Sequence, residues 1–380
     1  MNPFERLCPS PPTWSVRRPD VSWPWSEHTL RVAEALAGLQ EWRERPEQER
    51  IRVYAAVLLL DAGTPEAAAA PEAAAAPEGA ATPRSAATAR GAATPEGADE
   101  PEPEPAPGHA RRGEFVARRV LWELGVPIAW REHVAALVRH QRLPFGALAR
   151  TDLDRVAFRV SLLARNDDLA LLGTASVLAR SEPDAGALGE VALFREYTRE
   201  ILCFDGPRAF PSDHARFEYF RTPGRDPGFA AFDDTRCTVT VMSGLPGSGK
   251  DHWIAANRPG VPVVSLDDLR AELGVRPTQD QGPVVAAAYA RAREHLRAGT
   301  AYVWNATNVT RALRSRSIGL AANYGARVEV VSVEAPPDVV HRRNRARDRT
   351  VPPAVIDRMA GRWEPPDPTE AHEVRWVLNA

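Results

Sequence analysis

Val239-Thr240-Val241-Met242-Ser243-Gly244-Leu245-Pro246-Gly247-Ser248-Gly249-Lys250-Asp251 is the stretch on which the reading of this chain turns. A short apolar run, a glycine-rich loop and the start of a helical pattern follow one another without a spacer. Such a loop wraps backbone N–H groups around a phosphate, its glycines permit close approach, and its lysine brings positive charge to the outer phosphoryl oxygens. The spacing predicts a nucleoside triphosphate site built from Gly244, Gly247, Ser248, Gly249 and Lys250. Lys250 is the only lysine in the sequence. Retaining it where the other strong bases are arginine points to a need for a compact ammonium. The next position departs from the common pattern. A Ser or Thr hydroxyl usually serves Mg²⁺ there, and Asp251 stands in its place as the candidate magnesium contact.

Working outward, residues 261–265 read as a second buried strand that ends in Leu266-Asp267-Asp268-Leu269-Arg270. In a parallel sheet the carboxyl ends of strands face the ligand crevice, so Asp267 is the candidate general base. Asp268 reads equally well as a helix cap. A third strand over 301–305 runs into Ala306-Thr307-Asn308, placing Thr307 and Asn308 at the same rim. A fourth over 327–333 leads into a helical pattern from 336 to 350 carrying Arg342, Arg343, Arg345, Arg347 and Arg349. An arginine run is often a solvated face. Here it also suits a lid over a triphosphate, because phosphoryl transfer spreads negative charge over the moving group.

With GLPGSGKD, SLDDLR, WNATN and RNRAR in this order, the region from Cys237 to the C-terminus resembles the kinase module of polynucleotide 5′-kinases, and within them the kinase half of bacterial HD-Pnk end-healing proteins. The resemblance implies ATP or another nucleoside triphosphate as donor, Mg²⁺ as cofactor, and 5′-hydroxyl ends of RNA or DNA as acceptor, with an RNA ligase as a possible partner. It implies Lys250 and Ser248 on the donor phosphates and Asp267 as the base. Arg270 would hold the acceptor phosphate, and Arg343 and Arg347 would close on the donor. Phage-type enzymes carry a carboxylate just before the Thr-Asn pair. This chain has Ala306 there, and Asp251 is expected to supply the missing acidic character.

The 380 residues suffice for two domains, and 48 basic against 50 acidic side chains leave the net charge near neutral without excluding nucleic acid. Cys8, Cys203 and Cys237 have no metal spacing and suit a reducing compartment. No apolar leader core and no membrane-spanning run is visible, so a cytoplasmic location is expected. From Gly63 to Gly108 the sequence is almost wholly Ala, Pro, Glu, Gly and Thr. It lacks the apolar side chains needed to offset ordering entropy and reads as a disordered insertion. Its flanks are helical in pattern: residues 26–42, 51–60, 115–124, 128–138 and 156–178 predict an all-α domain over 1–205.

In that half His28, Asp61, His109, His133, His140 and Asp167 are ordered as in metal phosphohydrolases of the HD superfamily, where imidazoles and carboxylates hold a divalent metal. The layout, with HARRGEFVARRVLWE, resembles the N-terminal half of HD-Pnk proteins. Leu60-Asp61 stands where a His-Asp pair is expected, and the late aspartate is Asp167 or Asp168. His28, Asp61, His109, His140 and Asp167 are therefore expected to form a vestigial metal site, and His133 a structural contact. Residues 206–236 read as an aromatic-rich connector whose rings pack between domains or stack on bases. The expectation is an HD-like helical domain joined to a parallel-sheet P-loop kinase at 237–380, acting on polynucleotide ends. A kinase for a small hydroxylated metabolite or antibiotic, and a nucleotide-gated binding ATPase, are the alternatives.

Overall fold

The computed structural model describes residues 26–63, 108–276, 278–347 and 350–379. Cys8, Arg349 and the interior of the Ala/Pro/Glu-rich insertion lie outside them. Gly63 and the start of the next helix touch: a Cβ on Gly63 would run into the His109 carbonyl, and Arg112 Nε donates to Gly63 O at 3.3 Å. The two flanks of the insertion therefore leave and return at one point.

The helical half comprises α1 (Glu27–Gly38), α2 (Gln40–Arg43), α3 (Glu47–Leu58), α4 (His109–Glu123), α5 (Ile128–His140), a 3₁₀ turn (Ala147–Ala149), α6 (Leu153–Ser161), α7 (Asn166–Leu178) and α8 (Ala185–Glu200). Its core runs through Val32, Leu36, Val53, Leu121, Leu137, Leu171 and Phe194. Two expected helices are broken. The pattern over 26–42 stops at Leu39, which adopts an extended conformation (φ −72°, ψ 124°). The pattern over 156–178 divides into α6 and α7 because Arg165 is extended and Asn166 turns inward, its Nδ2 donating to Ala157 O and Cys203 O. Apolar periodicity continued across both breaks and hid them.

After α9 (Asp213–Arg221) comes a parallel sheet of β1 (Cys237–Ser243), β2 (Val263–Ser265), β3 (Tyr302–Asn305), β4 (Ala326–Glu334) and β5 (Glu373–Leu378), in the order β2-β3-β1-β4-β5. The connecting helices are α10 (Lys250–Asn257), α11 (Leu266–Glu272), α12 (Gly282–Arg297), α13 (Arg311–Asn323), α14 (Pro337–Arg345) and α15 (Pro353–Ala360). Central β1 and β4 are buried over most of their length, and their valine-rich composition marks them as strands although Thr240, Glu329 and Ser332 are buried among the valines. β5 was not anticipated: its Glu-Val-Arg-Trp-Val-Leu is only partly buried at the edge of the sheet, where half-solvated strands mix polar and apolar residues. Strand order changes direction about β1 and β3, so their carboxyl ends open the crevice in which α/β proteins bind ligands.

Candidate active site

The loop after β1 is fixed from both sides. Ser243 Oγ donates to Asn308 O at 3.0 Å, and Gly244 N–H donates to Thr307 O at 2.8 Å. Gly244 (φ 143°) and Gly247 (φ 83°) occupy conformations that side chains disfavour. A Cβ at Gly244 would strike Val333 O, and one at Gly247 would lie 2.7 Å from Val340 O. Glycine is required by packing as well as by φ. Ser248 is fully buried and its Oγ has no protein partner. An orphaned hydroxyl within a phosphate-type loop is a group that a phosphate oxygen would satisfy.

Lys250 opens α10, and its Nζ donates to Gly244 O (2.8 Å) and Leu245 O (3.0 Å), leaving one of its three donors for a ligand. Burial pushes the ammonium down to about 8, with Asp251 pulling up, Arg347 pushing down and Asp267 pulling up. The strands bring these groups together: Ser265, two residues before Asp267, pairs in register with Asn305, the residue that holds Asp251 beside Lys250. Asp251 Oδ1 accepts from Asn305 Nδ2 at 2.7 Å, joining the phosphate loop to the end of β3, while Arg347 lies 3.8 Å from Oδ2.

Asp267 sits on the first turn of α11, exposed and ion-paired with Arg270, whose Nε donates to Gln281 Oε1 at 2.7 Å. The cap of this helix is Ser265, whose Oγ accepts from Asp268 N–H at 3.2 Å, so Asp268 is not the cap. Asn308 is buried at φ 43°, and its Nδ2 donates to Met242 O at 2.9 Å. That amide is turned toward β1 and anchors the loop, while Thr307 contributes its carbonyl. Arg343 Nη1 donates to Asn379 O at 3.0 Å, and Asn379 Nδ2 donates to Ser248 O at 3.2 Å beside Gly249. The helix carrying Arg342, Arg343 and Arg345 ends at Arg345, short of the expected 350, because Asn344 reaches over to hold Val351 by two backbone bonds of 2.7 and 3.0 Å.

Asn305, Gln281 and Asn379 were not singled out in the sequence. Asn305 was legible, since it ends a strand whose neighbours were read as the rim. Asn379 follows the unanticipated β5 and carried no signal.

The helical half meets this site from behind. Arg131 is fully buried, 2.6 Å from Glu334 at the end of β4, and stacks over Trp363 at 5.1 Å from the ring centre. Trp122 Nε1 donates to Ala335 O at 3.2 Å, and the Trp122 ring joins Leu245, Val339, Val340 and Trp363 in one apolar cluster. Leu245 belongs to the phosphate loop, so α4 buttresses that loop directly. Arg159 of α6 and Arg311 of α13 both pair with Asp367, which their charge holds well below the usual carboxylate range against burial.

The expected metal residues of the helical half do not converge. Asp61 Oδ2 accepts from Ser26 Oγ (2.6 Å) and Thr29 Oγ1 (2.8 Å) beyond the C-terminus of α3. Asp167 pairs with Arg45 (2.9 Å) and Arg165 (2.6 Å), and Arg45 precedes the N-terminus of the same helix. A 12-residue helix is about 18 Å long, so the two aspartates occupy opposite ends of α3. His133 Nε2 bonds Asp168 at 2.7 Å, and Asp168 also pairs with Arg45. Burial raises Asp167, reinforced by the neighbouring Asp168 charge against its arginines. Burial also opposes ionisation of Asp168, but the His133 bond and the surrounding cations keep it below the ordinary value. His28 and His109 are exposed at the starts of α1 and α4. His140 ends α5, where burial, then Arg159, Arg139 and Arg150 outweigh Glu114 and push it down to about 3. Among the described residues no three His, Cys, Asp or Glu side chains gather as a metal-binding group. The five expected residues therefore do not form one site: Asp61 is bonded to hydroxyls at one end of α3 and Asp167 to arginines at the other.

Parallel sheet, glycine loop and half-buried lysine together define a P-loop domain of the kinase-like, nucleotide-binding kind. Residues 239–366 match a family model described as an AAA domain, in agreement with that class. No curated protein matches the chain. Among the described residues, no helix is long and apolar enough to cross a membrane.

Proposed function

We propose that this protein transfers the γ-phosphate of ATP to the 5′-hydroxyl of a polynucleotide end. The observation that carries the reading is the crevice between β1 and β3, where Lys250 feels both Asp267 and Asp251, and Arg270 stands paired with Asp267. A half-buried ammonium serves the donor's charge, and an exposed carboxylate at the same rim can take the acceptor's proton. Arg270, poised between Asp267 and Gln281, has a guanidinium fork suited to an acceptor phosphate. A nucleotide switch has no need of that pair.

The loop fits a triphosphate through the orphaned Ser248 hydroxyl and the glycine approach. Asp251, exposed and held by Asn305, fits magnesium, which takes one or two carboxylates and keeps several waters. Magnesium, when bound, would neutralise charge on the donor phosphates. Arg347, near Asp251, and Arg343, tied to the end of β5, would be drawn toward the same charge. The helical half is proposed to have lost metal phosphohydrolase activity, because Asp167 and Asp168 are committed to Arg45, Arg165 and His133.

The test is incubation of the full chain with labelled ATP, magnesium and a 5′-hydroxyl oligonucleotide, beside a panel of small alcohols. Label on the oligonucleotide, lost in Asp267→Asn, is expected. Label only on a small alcohol would replace the acceptor, and ATP hydrolysis without transfer would make the protein a nucleotide-driven switch. Manganese-, nickel- or cobalt-dependent removal of a 2′,3′-cyclic phosphate, abolished by Asp61→Ala, would restore a second activity to the helical half.

A further inference from the structure

At the opposite end of the sheet from the phosphate loop, α9, residues 225–235 and the starts of β4 and β5 enclose an open cavity of about 340 Å³. Most aromatics of the connecting segment are accounted for by packing: Phe210, Tyr219 and Phe220 form a ring cluster with Phe158, and Phe217 is buried. Two are not. Phe229 and Phe232, 55% and 85% exposed, both line this cavity. Arg225 lies over the Phe229 ring at 5.5 Å and pairs with Glu218 at 3.3 Å, so the ring is steadied and the arginine charge is met.

The floor is a histidine pair whose protons can be assigned. Val328 N–H donates to His372 Nδ1 at 3.0 Å, so that nitrogen carries no proton. His372, kept neutral by burial foremost, therefore bears its proton on Nε2, which faces His214 Nδ1 at 3.0 Å. His214 Nδ1 is the acceptor, and its own Nε2 must carry hydrogen. His214 is 8% exposed, lines the cavity, and has no bond from Nε2 to any described residue. The arrangement presents a fixed N–H donor on the cavity floor and two aromatic faces at its mouth.

We propose that this cavity binds a single nucleobase, stacked on Phe232 and Phe229, with a ring nitrogen or carbonyl accepting from His214 Nε2–H. The volume sits at the small end of ligand pockets, which span about 300–1,000 Å³, and so suits one ring system. The lining carries two arginines, Arg221 and Arg225, and two carboxylates, Glu218 and Asp234, so it has little net charge, which favours an uncharged heteroaromatic guest over a phosphate. The base comes either from a free nucleoside or from a strand that extends along the sheet. β1 spans the distance between the two sites, and its seven residues cover about 23 Å, several nucleotides of extended chain. The inference does not depend on phosphoryl transfer, since base binding at this end requires neither ATP nor the phosphate loop.

The test uses 2-aminopurine riboside, and separately a 5′-hydroxyl octanucleotide with 2-aminopurine at an internal position, titrated with the full chain without ATP. Saturable quenching is expected, weakened about tenfold or more by Phe232→Ala, a change at a solvated position with no folding burden. His214→Phe, which keeps the ring and removes the donor, should weaken it several-fold. Quenching of the riboside identifies a nucleoside site, and quenching of the strand alone identifies a strand-embedded base. No saturable quenching of either probe, or wild-type affinity in Phe232→Ala, overturns the proposal. Lys250→Met should bind both probes normally, so loss of 5′-phosphorylation and loss of base binding are separately readable.

Discussion

The two halves of this protein treat their charged groups in opposite ways. Around the phosphate loop, Lys250, Asp251, Asp267 and Arg347 converge on one crevice, the Ser248 hydroxyl is orphaned, and one lysine donor is left over. In the helical half, Asp61, Asp167 and Asp168 are already bonded to hydroxyls, arginines or His133. An orphaned hydroxyl and a spare lysine donor beside gathered charges are what a ligand would satisfy, whereas charges paired within the helical half hold helices together. Residue type alone does not separate the two, as the sequence placed a metal set and a phosphate set side by side.

The largest expected effect tests whether the helical half contributes structure to the site. Arg131→Met leaves Glu334 buried without its cation and should cost about 3–5 kcal/mol, read as a lower urea midpoint, with Arg131→Met/Glu334→Leu recovering much of it. If Arg131→Met is neutral, the halves are not one stability unit and the comparison loses its link. Next, Lys250→Met and Asp267→Asn should each lower phosphoryl transfer at least ~100-fold with the urea midpoint of the parent. A parental rate in Asp267→Asn would leave the crevice without its base.

A more gradual effect, spread over several pH units, concerns His140. Its folded value, about 3, lies below the ordinary 6.5, so the unfolded chain takes up the proton first on acidification. Stability is full above about pH 6.5 and falls toward pH 3, by at most about 1.4 kcal/mol per pH unit. His140→Gln should flatten that slope in urea titrations at several pH values. An unchanged slope would mean that other groups carry the acid sensitivity of the helical half. The smallest effect is a fraction of a proton. Donor phosphates should raise Lys250 from about 8, so ATP binding near pH 8.5 should take up protons. Calorimetry in two buffers of different ionisation enthalpy would show it, and Lys250→Arg should not. Binding without proton uptake would place the phosphates away from the ammonium.

The contrast also marks what the sequence could show. β1, its loop and β4 were legible because both strands are rich in valine and because the loop's glycines and lysine have fixed spacing. β5 was hidden by its half-solvated composition, and Asn379 with it. The metal set failed for a different reason. Order along the chain resembled a known pattern, but Arg45, between α2 and α3, captured Asp167 and Asp168 at the far end of α3 from Asp61. A pattern of potential ligands does not encode which cation reaches them first.

Lys250 also sets the chemistry by which this molecule can be handled. As the only lysine, it is the single ε-amine, and at about 8 it is substantially uncharged in mildly alkaline buffer. An amine-directed acylating reagent therefore has one internal target, and that target is the phosphate loop. Mass spectrometry of the intact chain should count one addition besides any at the α-amine, suppressed by ATP, so a covalent label becomes a direct gauge of nucleotide occupancy.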